Sequence, residues 1–342
     1  MVINMDLVNL LEDLIMTPGI SGYEEEIRNK ILNYLKKYGE PRVDKIGNVY
    51  LTIGKGNRHI AFMAHMDEIG LVVSYIDDHG FLKVKKLGGV DVRNLYGQYF
   101  EVFASNGKRY IGVVGLKPPH ISKEDEMNKV VPIDELYLDV GASSKDEVLK
   151  MGINVLDPVR WIKHFYVLNE KFVVSRGLDD RGGVAILLSM IDDLYRKDLK
   201  VKITFIFTLQ EETGLRGAKA IDLRDIDELY AIDSVTAADH PNVDRSLSPA
   251  SLTHGPVIRF IDARGINSNS LRKKVKEIAK KEGIGIQELV TGGSTDAAGT
   301  FELGIPSLAI CFPIRYTHTT VEIVSLDDLK NTIKLLEKIV EN

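Results

Sequence analysis

Between residues 172 and 312 the chain repeats one pattern, a short apolar run rich in β-branched and aromatic residues followed by a turn or a helix-length stretch. The runs at 172–175, 201–207, 229–232, 257–261, 287–290 and 307–312 have strand length. Several of them are continuously apolar, as a strand covered on both faces must be. Helices are expected over 182–195, over 271–281 and from the Ser325 cap to residue 340. Strands interleaved with helices imply a sheet between helical layers, so the expected class is α/β, a mixed-sheet α/β/α domain.

The pattern starts earlier and is interrupted. Apolar residues at helical spacing mark 6–16, and Ser21-Gly-Tyr-Glu24 reads as a capping box for a second helix through Leu35. Strands are expected at 42–45, 48–53 and 59–64. From 71 to about 161 the texture becomes alternating runs broken by hairpin signals, Asp-Asp-His-Gly at 77–80 and Ser-Asn-Gly at 105–107, with no long amphipathic helix before Ser144. That stretch reads as a small all-β domain inserted in the first. The boundaries are 1–70 and 163–342 for the discontinuous α/β domain and 71–162 for the insert. Within the insert, 117–129 is rich in proline and charge and reads as an exposed loop, 136–140 as a strand, and Ser144 as the cap of a short helix.

Composition narrows the partners. A formal net charge of -5 offers no electrostatic reason to bind nucleic acid or an anionic membrane. No run approaches the roughly eighteen apolar residues of a membrane span, and residues 1–7 lack the basic-then-apolar order of a signal peptide. The single cysteine, Cys311, rules out an intramolecular disulfide and suits a reducing compartment, so the expected address is cytoplasmic.

Chemistry-bearing residues collect where the predicted strands end. Glu211 and Glu212 follow 201–207, His65 and Asp67 follow 59–64, Asp179 and Asp180 lie between a strand and a helix, Asp233 ends 229–232, and His318 follows the last strand. Each has an ordinary alternative as a cap, a turn or surface polarity; Asp179 or Asp180 in particular suits a helix cap. Strand ends are where open α/β sheets assemble sites, and the set His65, Asp179, Glu212, Asp233 and His318 occupies separate ones. Two histidines and three carboxylates suit a pair of borderline divalent ions if one carboxylate bridges them. Glu211 is then left over as a base, and Asp67 as the partner that orients His65.

Six stretches carry a resemblance to the M42 metallo-aminopeptidases, the glutamyl and tetrahedral aminopeptidases. They are Ala64-His-Met-Asp-Glu-Ile-Gly70, Gly177-Leu-Asp-Asp-Arg181, Gln210-Glu-Glu-Thr-Gly-Leu-Arg-Gly-Ala218, Ala231-Ile-Asp233, Gly292-Gly-Ser-Thr-Asp-Ala297 and Arg315-Tyr-Thr-His-Thr319. The resemblance implies a di-metal aminopeptidase acting on peptides. In it His65 and Asp233 hold one ion, Glu212 and His318 the other, Asp179 bridges, Glu211 is general acid/base and Asp67 supports His65. It also implies zinc or cobalt, with manganese suited too, a loop of Gly293, Ser294, Thr295 and Asp296 beside the substrate, and a hollow dodecamer of dimers joined through the inserted domain. The chain departs from the family at Ala237-Ala-Asp-His-Pro241, where a Gly-Asp-Thr-Pro run is common, which leaves the part played by Asp239 open. Two other readings compete. A glycoside hydrolase needs paired carboxyl groups and leaves His65, Asp67 and His318 unexplained; a non-catalytic binding protein on the same fold leaves the whole ligand set unexplained.

Overall fold

The computed structural model describes residues 6–222 and 225–342; residues 1–5, which belong to the stretch read for a leader, lie outside them. In chain order the elements are α1 (Leu7–Met16), α2 (Glu25–Leu35), β1 (Arg42–Val43), β2 (Val49–Ile53), β3 (His59–His65), β4 (Gly70–Ile76), β5 (Phe81–Leu87), β6 (Tyr99–Phe103), β7 (Arg109–Val113), α3 (Glu124–Met127), β8 (Leu138–Asp139), α4 (Lys145–Met151) and β9 (Pro158–Trp161). There follow β10 (Tyr166–Leu168), β11 (Phe172–Ser175), α5 (Leu178–Leu194), β12 (Lys202–Thr208), α6 (Arg216–Lys219), β13 (Glu228–Thr236), β14 (Val257–Ile261), α7 (Asn269–Glu282), β15 (Gln287–Val290), α8 (Asp296–Gly299), β16 (Ser307–Arg315), β17 (Glu322–Ser325) and α9 (Leu326–Glu341).

The chain divides into two compact units, one of 1–67, 164–317 and 321–342, the other of 68–163 with 318–320. The first is the α/β unit. Among the described residues it holds an 11-stranded mixed sheet in the order β1-β2-β12-β3-β13-β16-β17-β11-β10, with β14 and β15 branching from β16. β12, β3, β13 and β16 run parallel to one another, so their C-terminal ends share one edge. Every residue of β3 is buried, and nearly every side chain of α5 is buried as well, which is why neither shows a polar face in the sequence. Helix starts follow local chemistry. Asp6, Ser268 and Ser325 each accept from an amide of the first turn of α1, α7 and α9.

Two local expectations are corrected. Ser21 does not cap α2; its hydroxyl donates to Asp67 Oδ2 at 2.6 Å, and Glu24 Oε1 accepts from Gly22 N–H instead. The strand at 229–232 continues to Thr236, so Asp233 lies inside β13 and not at its end. A buried acid in mid-strand breaks the apolar run without breaking the ladder to β16, because a carboxylate leaves the backbone hydrogen bonds intact.

The second unit is a closed barrel, β4-β5-β8-β7-β6-β9, with both hairpins at the predicted turns. Phe100 and Trp161 meet in its core with ring centroids 5.2 Å apart. The unit also holds a buried ion pair just outside the barrel strands, Lys163 Nζ to Glu68 at 2.6 Å. The segment 117–129 is largely exposed and contains the single turn α3. No helix among the described residues is long and apolar enough to cross a membrane.

Candidate metal centre

Strand register builds the centre. Thr208 of β12 stands opposite His65 of β3. On the other side β13 pairs with β3 up to Ala231 opposite Met63, and Asp233 follows two residues later, on the same face as Ala231. His65 Nδ1 lies 3.2 Å from the carbonyl oxygen of Asp67, a contact that only an N–H satisfies, and 3.5 Å from Asp67 Oδ1. Its Nε2 therefore points to the acids: Asp179 Oδ1 at 3.4 Å, Glu211 Oε2 at 3.9 Å and Asp233 Oδ1 at 3.9 Å. A histidine fixed through Nδ1 and open at Nε2 is set as a ligand.

Asp67, wholly buried, does more than orient that ring. Its Oδ1 accepts from Glu211 N–H at 3.0 Å, and its Oδ2 from Glu212 N–H at 3.3 Å and from Ser21 Oγ–H. One carboxylate thus ties the turn after β12 to the turn after β3. Asp179 and Asp180 open α5 with non-helical backbone, and the peptide between them is cis. Asp180 accepts from His65 N–H at 3.2 Å and from Gly183 N–H at 3.0 Å. It is the helix cap foreseen for one of the pair. Gly183 is required there, since a Cβ would lie 2.4 Å from the Asp180 oxygens.

Two overlapping donor groups result. His65, Asp180 and Asp233 form one, and His65, Asp179 and Glu212 the other, with ligand atoms within 4.8 Å of one another in each. Oxygen and imidazole nitrogen at this spacing suit zinc, cobalt or manganese. The electrostatics suit a cation too. Burial pushes Asp180, Asp233 and Glu211 well above the usual carboxylate range; His65 offsets part of this, and neighbouring acids add to it. Burial opposes a charged His65, yet Asp179 and Asp67 outweigh it and hold the imidazole well above the usual range. Such a set, with protons held on acids and ring alike, releases them when divalent cations bind.

His318 follows β16 in left-handed backbone and belongs by contact to the barrel unit. Its Nδ1 lies 3.2 Å from Gly89 O, a contact that an N–H satisfies. Asp239, left open by the sequence, is committed to Arg315, accepting from Nε at 2.7 Å and from a terminal nitrogen at 2.8 Å. In the loop before α8, Gly293 is exposed and Ser294 half-buried, while Thr295 and Asp296 are buried. Asp296 accepts a short hydrogen bond from Thr208 Oγ1. Burial lifts its carboxyl to about 6, His65 and Thr208 pulling it down and Asp67 up. Among the described residues Ser294 Oγ, Thr295 Oγ1 and Asp296 Oδ1 are buried without a hydrogen-bond partner.

Sequence reasoning passed over three contributors. Asp180 reads from the sequence as a chemistry-bearing residue or a cap, but it is left out of the expected ligand set. Thr208, the last residue of an apolar strand, carries no signal beyond being polar where β12 ends. Glu322 looks like the ordinary start of an edge strand, yet its Oε2 accepts from Gly177 and Leu178 N–H at 2.8 Å each.

Residues 47–335 match the family described as M42 glutamyl aminopeptidase. The chain is 34% identical to the lysyl aminopeptidase of Pyrococcus furiosus over 97% of this chain and 96% of the relative. Among solved structures it is similar to the TET1 peptidase of Pyrococcus horikoshii, described as assembling into a tetrahedron or a large octahedral shell. That match has 43% identity and a TM-score of 0.90, covering 98% of this chain and 99% of the other. An aminopeptidase from the archaeon Desulfurococcus kamchatkensis matches at 36% identity and a TM-score of 0.92, covering 98% and 94%.

Proposed function

The chain belongs to the M42 aminopeptidase family and is a peptide hydrolase, and from that premise we propose that it removes N-terminal residues from peptides at a centre of two divalent ions, with Glu211 as general acid/base. The observation that supports this best is the convergence of Asp179, Asp180, Glu211, Glu212 and Asp233 around one imidazole fixed through its far nitrogen. In this reading His65 and Asp233 hold one ion, Glu212 serves the other, to which the family resemblance adds His318, and Asp179 is shared; Asp180 lies against His65 and Asp233. Ions bound there supply Lewis acidity, which polarises a peptide carbonyl and brings the pKa of water toward neutrality.

The remaining work falls to side chains. Glu211 Oε2 takes a proton from the attacking water and gives it to the nitrogen of the leaving amine. Burial raises its carboxyl above the usual range, the direction needed by a group that must act as an acid as well as a base. Asp67 holds the Glu211 backbone while the side chain exchanges protons. Gly293, Ser294, Thr295 and Asp296 form the substrate side, where partnerless hydroxyls and a carboxylate oxygen await polar groups of the peptide. Zinc or cobalt, with manganese as a further fit, is the expected metal. The 71–162 insert is the dimerisation or lid element of a dodecameric homo-oligomer in the cytoplasm.

Glu211→Gln tests the central role. The variant keeps its fold and its metal content, while turnover of aminoacyl p-nitroanilides falls about 10²–10⁴-fold. Turnover near wild type with metal bound would remove Glu211 from the role.

A further inference from the structure

Glu322 opens β17 and is buried, opposite Ser175 at the end of β11. From there its Oε2 reaches the next turn and accepts from three successive amides: Gly177 and Leu178 at 2.8 Å and Asp179 at 3.4 Å. Gly177 is left-handed, with φ of +82°, which fans consecutive N–H groups toward a single point. It supplies no side-chain cap to α5, so an acid some 145 residues away in sequence caps the helix in its place. A few atoms further along this backbone the Asp179 carboxylate faces His65 Nε2, and Asp180 grips the His65 amide. The segment 177–180 is therefore pinned at both ends, by Glu322 on its donor side and by His65 on its acid side.

We propose that Glu322 is a positioning residue for metal binding: by anchoring the 177–179 amides it fixes where the Asp179 and Asp180 carboxylates stand, and so sets the affinity of the centre. This rests on the metal-centre reading above. A plain helix cap would stabilise α5 and leave metal affinity alone. Glu322 acts on the amide of Asp179 itself, so slack in the anchor displaces a ligand directly. Outer groups that orient metal ligands typically control affinity by about 10–100-fold.

The test uses the full-length protein with Zn²⁺ and Co²⁺ as probes. Equilibrium dialysis gives the affinity, thermal unfolding of the metal-free protein gives the stability, and kcat and KM are measured across metal concentrations. Glu322→Ala is expected to weaken metal binding about 10–100-fold. Its kcat at limiting metal falls in step and recovers as metal is raised, while KM stays unchanged. Glu322→Gln, which keeps a carbonyl oxygen in the same place, recovers most of the affinity. Wild-type affinity in a folded Glu322→Ala protein, even one of lower thermal stability, overturns the proposal and leaves Glu322 a cap. If the alanine variant does not fold, Glu322→Asp serves instead, its shorter side chain drawing the oxygen back; wild-type affinity there overturns the proposal equally. A wild-type protein that takes up neither ion overturns the metal-centre reading beneath it.

Discussion

Asp67 and Asp296 are both buried carboxylates acting on the same imidazole, yet their surroundings differ. Asp67 accepts from Glu211 N–H, Glu212 N–H and Ser21 Oγ–H, so both of its oxygens are committed to this chain. Asp296 accepts from Thr208 at one oxygen, while among the described residues its Oδ1 has no partner, and neither do the hydroxyls of Thr295 and Ser294 just before it. Burying a polar atom without a hydrogen bond costs about 1–3 kcal/mol, so a cluster of such atoms persists where a ligand completes it. One side of the centre is finished by the fold; the other keeps buried polar atoms without partners, as the proposed substrate side would.

The largest effect expected from this contrast is at Asp67. Asp67→Ala frees the amides of both glutamates and unties two turns at once, a displacement that costs about 10²-fold in turnover at saturating metal. Steady-state kinetics at high metal measures it. The same loss in Asp296→Ala would break the contrast, because a group that awaits substrate should raise KM before it lowers kcat.

A smaller effect, in stability, is expected at Asp296 in the metal-free protein. Its carboxyl titrates at about 6 when folded against 3.8 for an unperturbed aspartate, so between those values the folded chain keeps a proton that the unfolded chain has lost. Stability contributed by that proton is full below 3.8 and disappears as pH rises to about 6. The change amounts to about 3 kcal/mol. Asp296→Asn removes this slope while still accepting from Thr208. Urea midpoints at the two ends of the window check it, and an unchanged slope would show that Asp296 carries no such proton.

How far this arrangement could be read in the sequence depended on whether a residue works through its neighbours in the chain. β11, β14 and β15 match the predicted spans, and the Ser144 and Ser325 caps form as expected, because strand runs and caps are local. His65, Asp179, Glu212 and Asp233 stand out in the sequence because an apolar run precedes each, although Asp233 sits inside β13 and not at its end. Glu322 and Thr208 were not, since their partners lie 145 and 88 residues away and nothing near them in sequence marks the contact. Ser21 was misassigned for the same reason. A serine three residues before a glutamate fits a local capping box, but α2 starts at Glu25, and only the folded chain shows the Ser21 hydroxyl donating to Asp67.

That contact gives the smallest effect and the sharpest check on what a finished side means. Ser21 Oγ–H is one of three donors to Asp67, and the two backbone amides remain when it is removed. Ser21→Ala should therefore lose about 1.5–3 kcal/mol of stability, the range for a hydrogen bond to a charged group, while kcat changes by no more than a few-fold. Denaturant midpoints measure the first and steady-state kinetics the second. A kcat loss as large as that of Asp67→Ala would mean that the amides alone cannot hold the glutamates. The anchor of the centre would then extend through Ser21 to the turn before α2, which the first two helices and not the sheet hold in place.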